Sequence, residues 1–71
     1  MIALNEIGRR IAELRGNRSQ QELAEDLGIS KSALSMYERG ERMPRDEVKE
    51  RIAIHFNKSI QEIFFASEEH K

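Results

Sequence analysis

The side chains with usable chemistry gather between Ser19 and Arg45, and they are hydrogen-bond donors and cations rather than catalytic groups. Lys31, Ser32, Ser35, Met36 and Arg39 recur at spacings that place them on one face of a helix, and Arg42 follows directly. Gln20 opens an earlier helical stretch, where unpaired backbone amides attract an anion such as phosphate. From Ser30 to Arg45 the bases Lys31, Arg39, Arg42 and Arg45 outweigh the acids Glu38 and Glu41, giving a local charge of +2. Residues 46–71 carry six acids against four bases, a local −2, so a near-neutral chain of net charge −1 still leaves room for a basic patch on one side. No nucleophile, base and orienting group share a usable spacing, and no Gly-rich phosphate loop is present, so an enzyme is the least supported reading. The absence of cysteine excludes metal–thiolate sites and disulfides. His55 and His70 stand apart, without the spacing of metal ligands, and read as solvated; no cofactor or small-molecule ligand is expected.

Two short helical patterns must position these groups. Ser19 and Glu22 make an S-x-x-E capping box, in which the hydroxyl takes the amide three residues on and the carboxylate reaches back to the capping amide. Leu23, Ala24 and Leu27 then recur at helical spacing, and Gly28 follows as a residue able to adopt the left-handed conformation that ends a helix. Ile29 can plug the corner. Ser30 can cap a second helix, whose inner face is Ala33, Leu34 and Tyr37 and which Gly40 stops. Two helices with only a turn between them form a helix-turn-helix.

The ordered set S-Q-x-E-L-A-x-x-L-G at Ser19 to Gly28, Ile29-Ser30, Glu38-Arg39-Gly40 and Pro44 resembles the Cro/CI-type (XRE-type) helix-turn-helix family of phage and bacterial transcription regulators, over Ser19 to Phe64. The resemblance implies an all-α, five-helix, lambda-repressor-like domain over residues 1–66 with a polar tail at 67–71. It also implies that the second helix of the pair lies in the major groove of double-stranded DNA. Ser19, Gln20, Ser30, Lys31, Ser32, Ser35, Met36, Arg39 and Arg42 are then the DNA-binding residues. Lys31, Ser32, Ser35 and Met36 match positions that face base edges: lysine can donate to guanine, serine can pair with several bases, and methionine can pack on a thymine methyl. Lys31 has phosphate as an alternative. Gln20 would contact the DNA backbone and brace the reading helix, while Arg39 and Arg42 would neutralise phosphates. In the family Glu38 pairs with an arginine of the first helix, which is Arg15 here.

In the remaining chain, Leu4, Ile7, Ile11 and Leu14 predict a first amphipathic helix with Arg9, Arg10 and Glu13 outward. Gly8 inside it marks either a close approach by another helix or an unoptimised position, since glycine costs up to about 1 kcal/mol there. This helix ends at Gly16-Asn17, in a connection about two residues shorter than is usual in the family. After a loop in which Pro44 biases Met43 to an extended form, a fourth helix begins at Arg45 or Asp46, with Asp46 and Glu47 as its favourable first-turn charges. Val48, Ile52, Ala53 and Phe56 form its inner face and Asn57 ends it. Ser59 and Glu62 make a second capping box for a short fifth helix with Ile60, Ile63 and Phe64 inward. Ile54 and Phe65 fall on outward positions and suggest a self-association surface, joined by Met1 and Ile2, hence a homodimer on a near-palindromic operator.

At 71 residues the chain is one domain. Without cysteine, a signal peptide or a membrane-length apolar run it reads as a cytoplasmic protein. The functional expectation is a transcriptional repressor that acts by occupying its operator, of phage Cro-like or chromosomal type. The competing expectation is an antitoxin or other protein-interaction module on the same fold.

Overall fold

The computed structural model describes residues 3–66; Met1, Ile2, His70 and the predicted tail at 67–71 lie outside the described residues. Four α-helices run in order, α1 Leu4–Arg15, α2 Gln20–Leu27, α3 Lys31–Glu38 and α4 Asp46–Phe56, and a short wide-turned segment, Gln61–Phe65, closes the chain. Among the described residues there is no strand.

The predicted caps are made. Ser19 Oγ accepts from the Glu22 amide at 3.0 Å while the Ser19 amide donates to Glu22 Oε1 at 3.2 Å, which satisfies two amides that a helix start leaves unpaired. Ser30 Oγ accepts from the Ala33 amide at 3.0 Å at the start of α3. Gly28 is left-handed (φ 72°), and the Ile29 amide behind it donates to the Ala24 carbonyl at 3.0 Å, so α2 closes tightly and α3 begins within three residues. No side chain caps α4; Asp46 and Glu47 occupy its first turn, and Asn57 ends it with φ 57°.

Ile7 and Ile11 of α1, Leu23, Ala24 and Leu27 of α2, Leu34 and Tyr37 of α3, and Val48, Ile52 and Ala53 of α4 converge on Ile63 and Phe64, which close the core from below. Gly8 resolves in favour of close approach. A Cβ there would stand 2.5 Å from the Tyr37 carbonyl oxygen and closer still to that of Glu38, so the missing side chain is what lets α1 lie against the C-terminal end of α3.

The five expected helical segments are present, and three details go beyond the expectation. The fifth helix is not a regular α-turn: its capping box forms, with Ser59 Oγ accepting from the Glu62 amide at 3.0 Å, but the Ala66 amide donates five residues back to Gln61, a π-type turn. That wider turn accompanies burial of the consecutive residues Ile63 and Phe64. Arg10 does not point freely outward. It is half-buried, and its Nη1 donates at 3.1 Å to the carbonyls of both Glu62 and Ile63, acceptors that so short a segment cannot satisfy from its own amides. His55 is exposed but not simply solvated: Arg18 Nη1 lies 3.0 Å from its Nε2, and its ring meets Phe56 edge-on at 4.8 Å.

Candidate nucleic-acid interface

The outer face of α3 follows from its caps and its apolar stripe. With Leu34 and Tyr37 buried, the helix turns Lys31 and Ser32 to solvent and leaves Ser35 and Met36 half-exposed. Gln20, at the first turn of α2, completes a concave surface of about 430 Å³ together with Lys31, Ser32, Ser35, Met36 and Arg39. Six of the nine predicted site residues therefore meet in one place. Ser19 and Ser30 stand at the starts of α2 and α3 with their hydroxyls committed as caps, and Arg42 is exposed in the loop after α3.

Behind this face lies a polar joint. Arg15 of α1 donates to Glu38 through Nε (2.8 Å to Oε2) and Nη2 (3.0 Å to Oε1), and Gln20 Nε2 donates to the same Oε1 at 2.8 Å. Arg15 Nη1 also donates to the Arg18 carbonyl at 2.7 Å, so one guanidinium ties α1, the α1–α2 loop and the end of α3 together. The Glu38 side chain is only 6% exposed and that of Arg15 22%, so the pair is largely removed from water, and its hydrogen bonds hold Arg15 above the ordinary arginine range. The expected Arg15–Glu38 pair is thus present, and Gln20 braces α3 through Glu38. With its amide nitrogen engaged there, Gln20 retains its carbonyl oxygen and the backbone amides around it.

At the rim of the face the charges differ in how they are committed. Arg39 makes a bidentate pair with Glu41, from Nε at 2.9 Å and Nη2 at 3.1 Å, and its Nη1 donates to Ser35 Oγ at 2.5 Å. These contacts raise Arg39 above and lower Glu41 below their ordinary values, the hydrogen bonds being the larger cause in each. Lys31 and Arg42 are both exposed.

Sequence reasoning missed several supports of the helix-turn-helix. Arg51 of α4 donates to the Leu27 carbonyl at 3.3 Å, holding the end of α2 just before the turn. Arg18 pairs with Asp26 of α2 as well as reaching His55 of α4. Such contacts join positions 24 and 37 residues apart, and no local pattern marks them.

Met43, Ile54 and Phe65 are the exposed large apolar residues among the described ones, and the two expected outward, Ile54 and Phe65, do not form one patch. Ile54 is 79% exposed on α4 and Phe65 53% exposed. Phe65 sits against α4 at Lys49, whose ammonium lies 5.4 Å from the ring centroid. Positions 49 and 54 of a helix point about 140° apart, so the two apolar side chains stand on different sides of α4. No helix among the described residues is long and apolar enough to cross a membrane, and no group of three His, Asp or Glu side chains among them could hold a metal ion.

A family profile described as helix-turn-helix matches residues 9–63, which takes in all of α2 to α4. Among solved structures, the restriction-modification controller protein C.AhdI from Aeromonas hydrophila is 30% identical with a TM-score of 0.76, covering 86% of this chain and 96% of its own. The SOS-response transcriptional repressor LexA from Eubacterium rectale superposes with a TM-score of 0.83 at 16% identity, covering 96% of this chain and 78% of its own. The clp gene regulator ClgR from Corynebacterium glutamicum gives 0.75 at 22% identity, covering 89% and 69% respectively. The last two likenesses establish the fold alone. No curated protein matches the chain in sequence.

Proposed function

Because the chain belongs to the helix-turn-helix family and is a DNA-binding transcriptional regulator, we propose that it is a cytoplasmic repressor that binds a specific operator through the outer face of α3. The observation that carries this reading is the concave surface shared by Gln20, Lys31, Ser32, Ser35, Met36 and Arg39, set on a helix whose other side is locked into the core. A reading helix must present short polar and apolar groups to base edges while cations meet the flanking phosphates. Ser32, Ser35 and Met36 supply the first set; Lys31, Arg39 and Arg42 supply the second, and the first turns of α2 and α3, which start at the capping residues Ser19 and Ser30, add backbone amides that favour an anion.

One such unit spans few base pairs, so the protein acts as a homodimer on a near-palindromic site, with half-sites about 10 bp apart centre to centre. Of the exposed apolar side chains Met43, Ile54 and Phe65, the last two lie on different sides of α4, so the association uses the side of Ile54 or that of Phe65 rather than one patch made of both. Selection of binding sites from a randomised DNA library, followed by footprinting, tests the whole reading. The wild-type protein selects a two-fold symmetric site, and Met36→Gln changes the preferred base at one position of each half-site by about 1 to 3 kcal/mol, with an unchanged salt slope. A wild-type protein that selects no sequence overturns the function, and an unchanged preference in Met36→Gln removes Met36 from the reading face.

A further inference from the structure

Arg39 carries five N–H donors in a rigid plane, and three of them are occupied in the free protein. Its side edge, Nε and Nη2, is taken by both carboxylate oxygens of Glu41 at 2.9 and 3.1 Å, and Ser35 Oγ takes one hydrogen of Nη1 at 2.5 Å. Two donors remain, one on Nη1 and one on Nη2, on a guanidinium tied to Ser35 and lining the same concave face. Both partners are more than half exposed, so the pair is not required by a buried core. It does two things at the edge of an anion-binding surface: it cancels the charge of Arg39, and it fixes which donors can reach a ligand.

We infer that Glu41 is a positioning residue for DNA recognition, which holds Arg39 so that it meets DNA as a directed pair of donors rather than as a free cation. The inference rests on the outer face of α3 being the DNA interface. An unrestrained arginine beside a phosphate strand strengthens binding to every sequence alike, because it releases a condensed counterion. An arginine already neutralised by a carboxylate gives up most of that attraction and keeps its geometry. The acceptor it suits is a pair of oxygens or an oxygen and a nitrogen at fork spacing, found on the guanine edge in the major groove and on a phosphate. Glu41 thereby lowers indiscriminate binding while leaving operator binding in place, which raises the ratio between the two.

Glu41→Gln keeps the shape and removes the charge, and its thermal melt serves as the check on folding. Operator and non-operator duplexes of equal length are titrated at several salt concentrations with wild-type protein, Glu41→Gln, Arg39→Ala and the double variant. The expected result for Glu41→Gln is tighter binding to non-operator DNA, a slope of log affinity against log salt steeper by about one, and a smaller operator preference. In the Arg39→Ala background the same change leaves slope and preference in place, because Glu41 acts through Arg39. Site selection with Arg39→Ala then identifies the acceptor: a lost guanine preference at one position per half-site means a base edge, and a uniform loss means phosphate. An unchanged slope and preference in Glu41→Gln, with the wild type still binding its operator, overturns the role of Glu41. Equal shifts in both backgrounds overturn it too, since they report only repulsion between a bare acid and DNA. A wild-type protein that prefers no operator defeats the DNA-reading assignment itself, a different and recognisable failure.

Discussion

The third helix ends between two arginine–glutamate pairs of almost identical geometry and opposite consequence. Arg15–Glu38 and Arg39–Glu41 are both bidentate through Nε and Nη2, at 2.8 and 3.0 Å in one and 2.9 and 3.1 Å in the other. The first has a Glu38 side chain 6% exposed, while both side chains of the second are more than 50% exposed. Removing water turns the same contact from a surface arrangement into a structural requirement, because an unpaired charge left in a desolvated place cannot be screened. The inner pair also joins residues 23 apart and recruits Gln20, so it fixes α3 against α1 and α2. The outer pair joins residues two apart and fixes only a side chain. Rigidity behind α3 and adjustable charge in front of it thus come from one chemistry placed at two depths.

The comparison breaks most visibly at the inner pair. Glu38→Ala leaves the Arg15 guanidinium and the Gln20 amide without their acceptor, and the expected loss is about 2 to 4 kcal/mol, discounted from a fully buried pair because Arg15 keeps partial access to water. For a domain of this size that corresponds to a drop in melting temperature of at least about 8 °C. A melt equal to wild type would mean the two pairs are energetically alike. Next comes Gly8→Ala, which tests whether the close contact of α1 with α3 is needed for the same joint. The added methyl meets backbone carbonyls rather than a flexible side chain, so α1 must shift, at about 1 to 3 kcal/mol by chemical denaturation.

The smallest effect belongs to the outer pair, and pH separates it. Arg39 holds the Glu41 carboxyl below its ordinary range, chiefly by hydrogen bonding. A carboxyl whose folded value is depressed stabilises the fold above its unfolded value, near about 4.3, and loses that contribution as the pH falls through the folded value. Carbon-detected NMR titration should therefore place Glu41 below ordinary glutamates in the wild type and return it to them in Arg39→Ala, with the melting temperature at pH 7 lowered only slightly, as for an exposed pair. A Glu41 titration that ignores Arg39→Ala would dissolve the outer pair.

Much of this molecule was legible from local spacing. The capping boxes at Ser19–Glu22 and Ser59–Glu62, the turn at Gly28 and the apolar steps of Leu23, Leu27, Leu34, Tyr37 and Ile52 all act within four residues or so along the chain, the range over which a helix repeats. They set the helices, the helix-turn-helix and the side of α3 left to solvent. The Arg15–Glu38 pair was expected only through family resemblance, since nothing in the spacing of two residues on separate helices joins them.

Tertiary structure decided what lies between elements. It turned Arg10 inward to carbonyls 52 and 53 residues away, sent Arg51 to the end of α2, and set Arg18 between Asp26 and His55. It also chose a π-type turn for the segment that seats Ile63 and Phe64, and gave Gly8 its reason. A helix is fixed by hydrogen bonds to near neighbours and leaves a periodic trace in the residues that make it. A contact between helices depends on how far apart and at what angle two finished surfaces meet, and a linear order of residues carries no period for that distance.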